Sequence, residues 1–271
     1  MLGKAASLPA DEIVLDLEDA VAPAEKDTAR ALVVAALATD AWRSRQVAVR
    51  VNAIGTPWCH HDIIAIAGAA HPNLSLVIPK VESRGDLAFV DRLLAGIEAG
   101  NGASRPTTTQ ALIETAKGLA NVQHVAAASR RLGALILGYA DLASSLGRPS
   151  ATAETWRSAQ DAIVLAARAN DLQAIDGPYF RIQADEQLAV DCKTAAMLGF
   201  DGKWAIHPSH LAPINDAFTP SAEDVAKARA LIAGLEAAKT HGQGAVQHAG
   251  GMIDEAMRAG ALRTLARAGV Q

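Results

Sequence analysis

The chain has 271 residues, half of them hydrophobic and only 4% aromatic, so Ala, Leu, Val and Ile must fill one large core. A formal net charge of −4 gives neither nucleic acid nor an anionic membrane a general attraction. Two cysteines without metal-type spacing, no signal-peptide core and no membrane-length apolar run fit a reduced, cytoplasmic setting.

Along the chain, short apolar runs alternate with longer helical patterns. Strands are expected near 13–17, 47–51, 76–78, 110–113, 134–137, 172–175 and 203–206. Helices are expected over 24–39, 84–99, 153–169, 185–198, 208–217 and 221–239. Pro23 suits a first helical turn, and Gly133 and Gly199 suit chain reversals after helices. The strands read as continuous apolar runs, which argues for a parallel sheet covered on both faces. Seven β-units are visible where a closed barrel needs eight, and the first twelve residues read as a helix end and a turn. The expected fold is therefore α/β, a TIM-type (β/α)8 barrel lacking its first strand, over residues 1–240. A Gly-rich linker follows over 241–251, then a C-terminal helix over 252–271, with its amphipathic pattern in 252–268. Such a helix could fold over its own barrel mouth or reach a neighbouring subunit.

Four apolar runs break off at charged residues: V-L-D-L-E-D-A-V, V-R-V-N, A-L-I-E-T-A-K-G and L-I-L-G-Y-A-D-L. A buried strand has no packing use for a carboxylate. Several strands ending in one suggest convergence at the C-terminal mouth of a barrel. Asp16 and Glu18, two apart, share a face if the strand runs through them. Glu114 and Asp141 follow apolar runs of neighbouring strands, and two such carboxylates with open positions for water and substrate suit Mg2+. The local alternative is that Asp19 or Asp141 caps a helix and Glu114 pairs with Lys117. Arg50 suits either a two-pronged grip on a substrate carboxylate or a buried pair with Asp16 or Glu18. Lys80 has the chemistry for a Schiff base, but an ion pair with a strand-end acid fits better beside a metal-binding acid set. His207 is expected to hydrogen-bond near the mouth, and the position of Asp254 reads as a helix cap.

Seven segments in order resemble the citrate lyase β-subunit-like family within the HpcH/HpaI aldolase superfamily. They are D-L-E-D-A-V-A-P-A-E-K, V-R-V-N, I-P-K-V-E-S, I-E-T-A-K-G, G-Y-A-D-L-A-S-S-L-G, G-F-D-G-K-W-A-I-H-P and M-I-D, and they span nearly the whole chain. The resemblance implies a Mg2+-dependent carbon–carbon lyase, usually a homotrimer, that cleaves or forms thioesters such as citryl-, malyl- or citramalyl-CoA. A small oxo acid is then the second substrate or product. It implies Glu114 and Asp141 as metal ligands, Arg50 at the oxo-acid end, and Glu18 and Asp19 behind them, while Lys80 and His207 stand as further substrate-binding candidates from their place at strand ends. It also implies Asp254 as an acid/base entering from a neighbouring subunit. Family members begin with a strand and a Pro/Gly/Arg loop that helps bind the thioester, a segment absent here. Two alternatives stay open: thioester hydrolysis of the malyl-CoA type, or a subunit active only on an acyl-carrier partner.

Overall fold

The computed structural model describes residues 5–42, 46–148, 153–240, 245–248 and 251–269. The chain forms two compact units, Met1–Leu211 and Ala212–Gln271. The first holds seven parallel strands: β1 (Glu12–Asp16), β2 (Gln46–Arg50), β3 (Leu74–Ile78), β4 (Thr108–Ile113), β5 (Leu132–Leu137), β6 (Gln173–Asp176) and β7 (Gly202–Lys203). They pair in sequence order, as successive right-handed β/α units do, leaving β1 and β7 as the sheet edges among the described residues. The TIM-type fold with seven strands is the one expected.

Continuous apolar runs explain the central strands. Every residue of β3 is buried, because helices cover one face and the other turns inward. Ala48, Val77, Leu112 and Ile136 form a buried layer inside the curled sheet, with Val14, Ile175 and Trp204 packed against it. Each strand thus contributes one side chain (for β7, from just beyond its end), as in the layered interior of a barrel.

Helix ends follow local chemistry. The helix Arg84–Asn101 starts where Asp86 Oδ2 accepts from Ser83 N at 2.8 Å, and it stops at Gly102 with φ 64°. Asp185 accepts from Leu188 N at 3.1 Å to start Glu186–Leu198, and Gly199, at φ 100°, reverses the chain as expected. Gly133 does not follow a helix; it lies inside β5 beside a register shift opposite Thr109 and Gln110. There a residue without a side chain eases a bulge. The turn at Pro23–Glu25 is a 3-10 turn, and the α-helix begins only at Lys26. The strand expected over 203–206 is two residues long, because β6 runs into Gly177 and Pro178, and proline has no N–H for the ladder.

The second unit holds most of the helix Leu211–Phe218, all of Ala222–Thr240, and an antiparallel hairpin of β8 (Ala245–His248) with β9 (Gly251–Asp254). Of the linker expected over 241–251, residues 241–244 and 249–250 lie outside the described residues. The helix expected from Met252 begins later: β9 occupies the first positions, Glu255–Met257 forms a 3-10 turn, and Arg258–Arg267 is helical. Asp254 sets that delay, since its extended backbone (φ −139°, ψ 175°) cannot belong to a helix. Among the described residues no helix is long and apolar enough to cross a membrane.

Candidate functional site

The C-terminal ends of β1 to β4, and the helix after β5, bring the charged residues together. Asp16 and Arg50 end adjacent strands in register, and Asp16 grips the guanidinium from Oδ1 to Nε at 2.8 Å and from Oδ2 to Nη2 at 2.6 Å. Asp16 also accepts from Glu18 N at 2.8 Å and Ala20 N at 3.1 Å, closing the turn that carries Glu18. Burial opposes its charge, yet Arg50 together with the Glu18 and Ala20 N–H groups outweighs burial and holds its pKa below the ordinary value. Burial likewise opposes the Arg50 charge, and the surrounding acids raise its pKa regardless.

Arg50 Nη1 lies 3.3 Å from Asp19 Oδ2 and 3.1 Å from Glu18 Oε2. The Glu18 contact is Coulombic only: that oxygen is buried and accepts no hydrogen bond. Glu18 Oε1 instead accepts from Lys80 Nζ at 2.7 Å. Burial, only partly countered by Lys80 and Arg50, raises the Glu18 pKa.

Lys80 sits two residues beyond β3 in a left-handed conformation, φ 52°, which a lysine adopts only when its surroundings compel it. That twist sends its backbone N–H to Glu114 Oε1 at 3.0 Å. Its Nζ lies between three acids, 2.7 Å from Glu18, 3.4 Å from Asp141 and 3.8 Å from Glu114. Those charges outweigh burial and raise its pKa, so it is an ammonium with no free amine for a Schiff base.

Glu114 directly follows β4 and is 3% exposed. Burial pushes its pKa up to about 8, with Lys80 opposing and the Glu18 and Asp141 charges assisting. Gly138 admits this carboxylate, since a Cβ there would lie 2.7 Å from Glu114 Oε2. Asp141 stands in the first turn of Tyr139–Ser145 with its side chain 40% exposed. It does not cap that helix, whose N-cap position is Gly138. Lys117 pairs with Glu82 at 3.0 Å and not with Glu114.

Beside Glu18 and Lys80 opens a recess of about 380 Å³, lined also by Lys26, Asn52, Thr56 and Trp58. Lys26 donates to the Leu17 and Glu18 carbonyls at 2.7 and 2.6 Å and lies 5.5 Å from the centre of the Trp58 ring. Sequence reasoning gave Lys26 no role, although it closes the D-L-E-D segment. It also passed over Asp176 and Lys203, although Q-A-I-D ends an apolar run by the same rule that selected Glu114.

Two expected residues have other partners. His207 starts the turn Pro208–His210, where its Nδ1 faces Ser209 Oγ at 2.8 Å and Ser209 N at 3.2 Å. Asp254 belongs to the second unit, where its Oδ1 accepts from Ala256 N at 3.0 Å as a cap.

Among the described residues no three His, Cys, Asp or Glu side chains are grouped so as to hold a metal by themselves. The fit of a hard cation rests instead on a pair. Glu114 and Asp141 both approach the one ammonium of Lys80, so they converge on a point where a cation is already favoured. Their oxygens are the donors that Mg2+ takes, with waters or substrate completing its shell.

Residues 1–208 match the family model for HpcH/HpaI aldolase/citrate lyase. The chain is 38% identical over 270 residues to an L-malyl-CoA/beta-methylmalyl-CoA lyase of Cereibacter sphaeroides, covering 93% of this chain and 85% of that protein. It is 37% identical over 270 residues to a (3S)-malyl-CoA thioesterase of the same species, covering 98% and 90%. Among solved structures it is similar to the protein CitE of Mycobacterium tuberculosis in complex with magnesium, acetoacetate and coenzyme A. That likeness has 31% identity and a TM-score of 0.71, over 96% of this chain and 90% of the other.

Proposed function

The chain belongs to the HpcH/HpaI aldolase/citrate lyase family, and we propose that it is a Mg2+-dependent carbon–carbon lyase of a 3-hydroxyacyl thioester of the malyl-CoA class. The observation that carries this reading is the meeting of Glu114 and Asp141, from consecutive β-units, beside a guanidinium at one mouth. The name of the lyase relative supports malyl-CoA over citryl- or citramalyl-CoA.

Glu114 and Asp141 would hold the ion, which when bound supplies a Lewis acid toward the hydroxyl or oxo oxygen of the substrate. Arg50 offsets charge on the oxo-acid fragment through Nη1, the corner that Asp16 leaves to Glu18 and Asp19. Glu18 fixes Lys80, and Lys80 tempers the repulsion among the acids until substrate enters. The recess beside Lys26 and Trp58 gives the thioester arm a partly apolar bed. The substrate hydroxyl gives up its proton to solvent and its oxygen becomes the oxo group as the carbon–carbon bond breaks. The bonding electron pair stays on the thioester α-carbon, and Asp254 from a neighbouring subunit of a homotrimer, itself protonated from solvent, protonates that carbon.

A coupled assay of the purified chain with Mg2+ against malyl-, citramalyl- and citryl-CoA tests this. The expected result is release of an oxo acid and an acyl-CoA, fastest from malyl-CoA and abolished in Asp141→Ala. Full activity in that variant would sink the metal assignment, and no turnover of any free CoA thioester would favour a carrier-bound substrate. The thioesterase relative supports a second reading, in which Asp254 activates water. Product analysis separates the two, because a hydrolase releases free CoA and a hydroxy acid.

A further inference from the structure

A buried cluster at the ends of β5, β6 and β7 takes no part in the chemistry proposed above. Asp176 and Lys203, the last residues of β6 and β7, pair at 2.6 Å with side chains only 2% and 4% exposed. Lys203 Nζ also donates to Gly177 O at 2.7 Å. The other Asp176 oxygen accepts from the Tyr139 hydroxyl, which itself accepts from Gln160 Nε2 at 2.8 Å. Burial, and then the Asp176 charge, raise the Tyr139 pKa, so the phenol stays a donor. Gly177 makes the approach possible: a Cβ there would lie 2.3 Å from Leu137 O and 2.6 Å from the Tyr139 ring.

Stability alone does not account for such a pair, because burying two charges recovers little net free energy compared with apolar side chains of equal size. Its connection to the mouth does. Tyr139 is the first residue of Tyr139–Ser145, and Asp141 follows two positions later. Two residues turn an α-helix by about 200°, so the anchored phenol and the Asp141 carboxylate leave from nearly opposite sides. The helix is seven residues long and has no side-chain cap at Gly138. Buried Leu142 and the Ser145 hydroxyl, which accepts from Ala116 N at 2.9 Å, hold its later residues, and Tyr139 is the anchor at its first turn, where Asp141 stands. We propose that Tyr139, held by Asp176 and Lys203, is a positioning residue that sets the rotation of Tyr139–Ser145 and so aims Asp141 at the metal site. The inference rests on the metal reading of Glu114 and Asp141.

The test is direct Mn2+ binding to the purified full chain, followed by the EPR signal of the free ion. Tyr139→Phe keeps the ring against Trp156, at a centroid distance of 5.1 Å, and removes only the hydroxyl. It should bind Mn2+ about tenfold more weakly, the usual scale for losing a group that orients a ligand. The Mg2+ concentration for half-maximal turnover should rise in parallel, with kcat recovering at saturating Mg2+. The quadruple variant Tyr139→Phe, Gln160→Leu, Asp176→Leu, Lys203→Met replaces the side chains of the whole network with apolar groups, a change that commonly preserves or raises stability. It should melt at or above the wild-type temperature yet still bind Mn2+ weakly, which separates aiming from stability. It also keeps the test decisive if the single variant fails to fold. Affinity within twofold of wild type in the folded variants overturns the positioning role, while loss of binding in Glu114→Gln would leave the metal reading intact. If wild type binds no Mn2+, or Glu114→Gln binds it equally well, the metal reading fails and the positioning role falls with it.

Discussion

Gly138→Ala is the smallest change that should disable the site. Gly138 has φ −102° and ψ 98°, so alanine meets no backbone strain there. The obstacle is Glu114, because the new methyl would lie 2.6 Å from its Cβ, 2.7 Å from Oε2 and 3.3 Å from Leu112 Cδ1. Ordinary carbon contacts begin near 3.5 Å, so the end of β4 or β5 must shift by about an ångström. A Cβ cannot rotate away as the tip of a long side chain can. Overpacking of this kind costs about 1–3 kcal/mol. At about 2–4 °C per kcal/mol for a chain of this size, the melting temperature should fall by roughly 2–12 °C. The functional loss should be larger, since misplacing a reacting group by 1 Å can cost about 100-fold in rate. Thermal melts run beside a Mg2+-titrated lyase assay read both quantities. Gly96→Ala is the control: that residue lies exposed in Arg84–Asn101 with nothing near its would-be Cβ, and should gain about 0.5–1 kcal/mol. A Gly138→Ala enzyme with wild-type turnover and Mg2+ dependence would refute the close packing of Glu114 against this turn.

Because the Glu114 carboxyl titrates at about 8, a bound cation must displace its proton below that pH. Mn2+ affinity should therefore climb from pH 6 to 8 and level off above it, and a flat profile would contradict the buried acid. The same raised pKa makes the metal-free protein lose stability as pH rises from 4.5 through 8, since the folded state binds the extra proton. Urea melts of wild type and Glu114→Gln should diverge over that range, the variant lacking the loss. Asp254→Asn keeps a side-chain oxygen for Ala256 N, and asparagine caps about as well as aspartate. Its melting temperature and Mn2+ affinity should hold while lyase turnover is lost; unchanged rates would leave Asp254 as a cap alone. Gly177→Ala drives a methyl into the Leu137 carbonyl, which is backbone and cannot yield, so its melting temperature should fall further than that of Gly138→Ala.

Much of the framework was legible because it is local. The run L-V-I at 76–78 reads as a doubly covered strand, and the strand that forms, two residues longer at its start, is buried at every residue. Gly199 marks a helix end because only a residue tolerant of positive φ serves there. Features that depended on distant partners were not legible. The length of β7 follows from where Pro178 stops β6, and the bulge at Gly133 follows from the register with β4. Glycines on either side of β8 masked a hairpin, since each of its two strands is only four residues long. At the mouth, sequence located Arg50, Lys80, Glu114 and Asp141 but left their pairings open. The choice of Glu18 for Lys80 spans 62 residues, and no periodicity encodes it. Asp176 and Lys203 went unused for the same reason, their significance lying in Tyr139 on a third element.

The pairings also explain why an anionic substrate would need a cation here. Five carboxylates gather at this mouth, from Asp16, Glu18, Asp19, Glu114 and Asp141, against the three cations of Arg50, Lys80 and Lys26. With every group ionised the excess is two negative charges, which would repel an oxo acid or its thioester precursor. Arg50 alone cannot reverse that field, because Asp16 holds two of its three nitrogens and fixes its plane. Retaining a proton on Glu114 lowers the excess only in part and removes a ligand from the proposed metal pair. One divalent ion held by Glu114 and Asp141 would offset the whole excess and let Glu114 ionise. It would also leave Arg50 Nη1 facing substrate with the acids around it neutralised. On this reasoning Asp16 would serve the site by rigidity, Lys80 by holding the acids together, and Glu114 by coupling the arrival of the proposed cation to loss of its own proton.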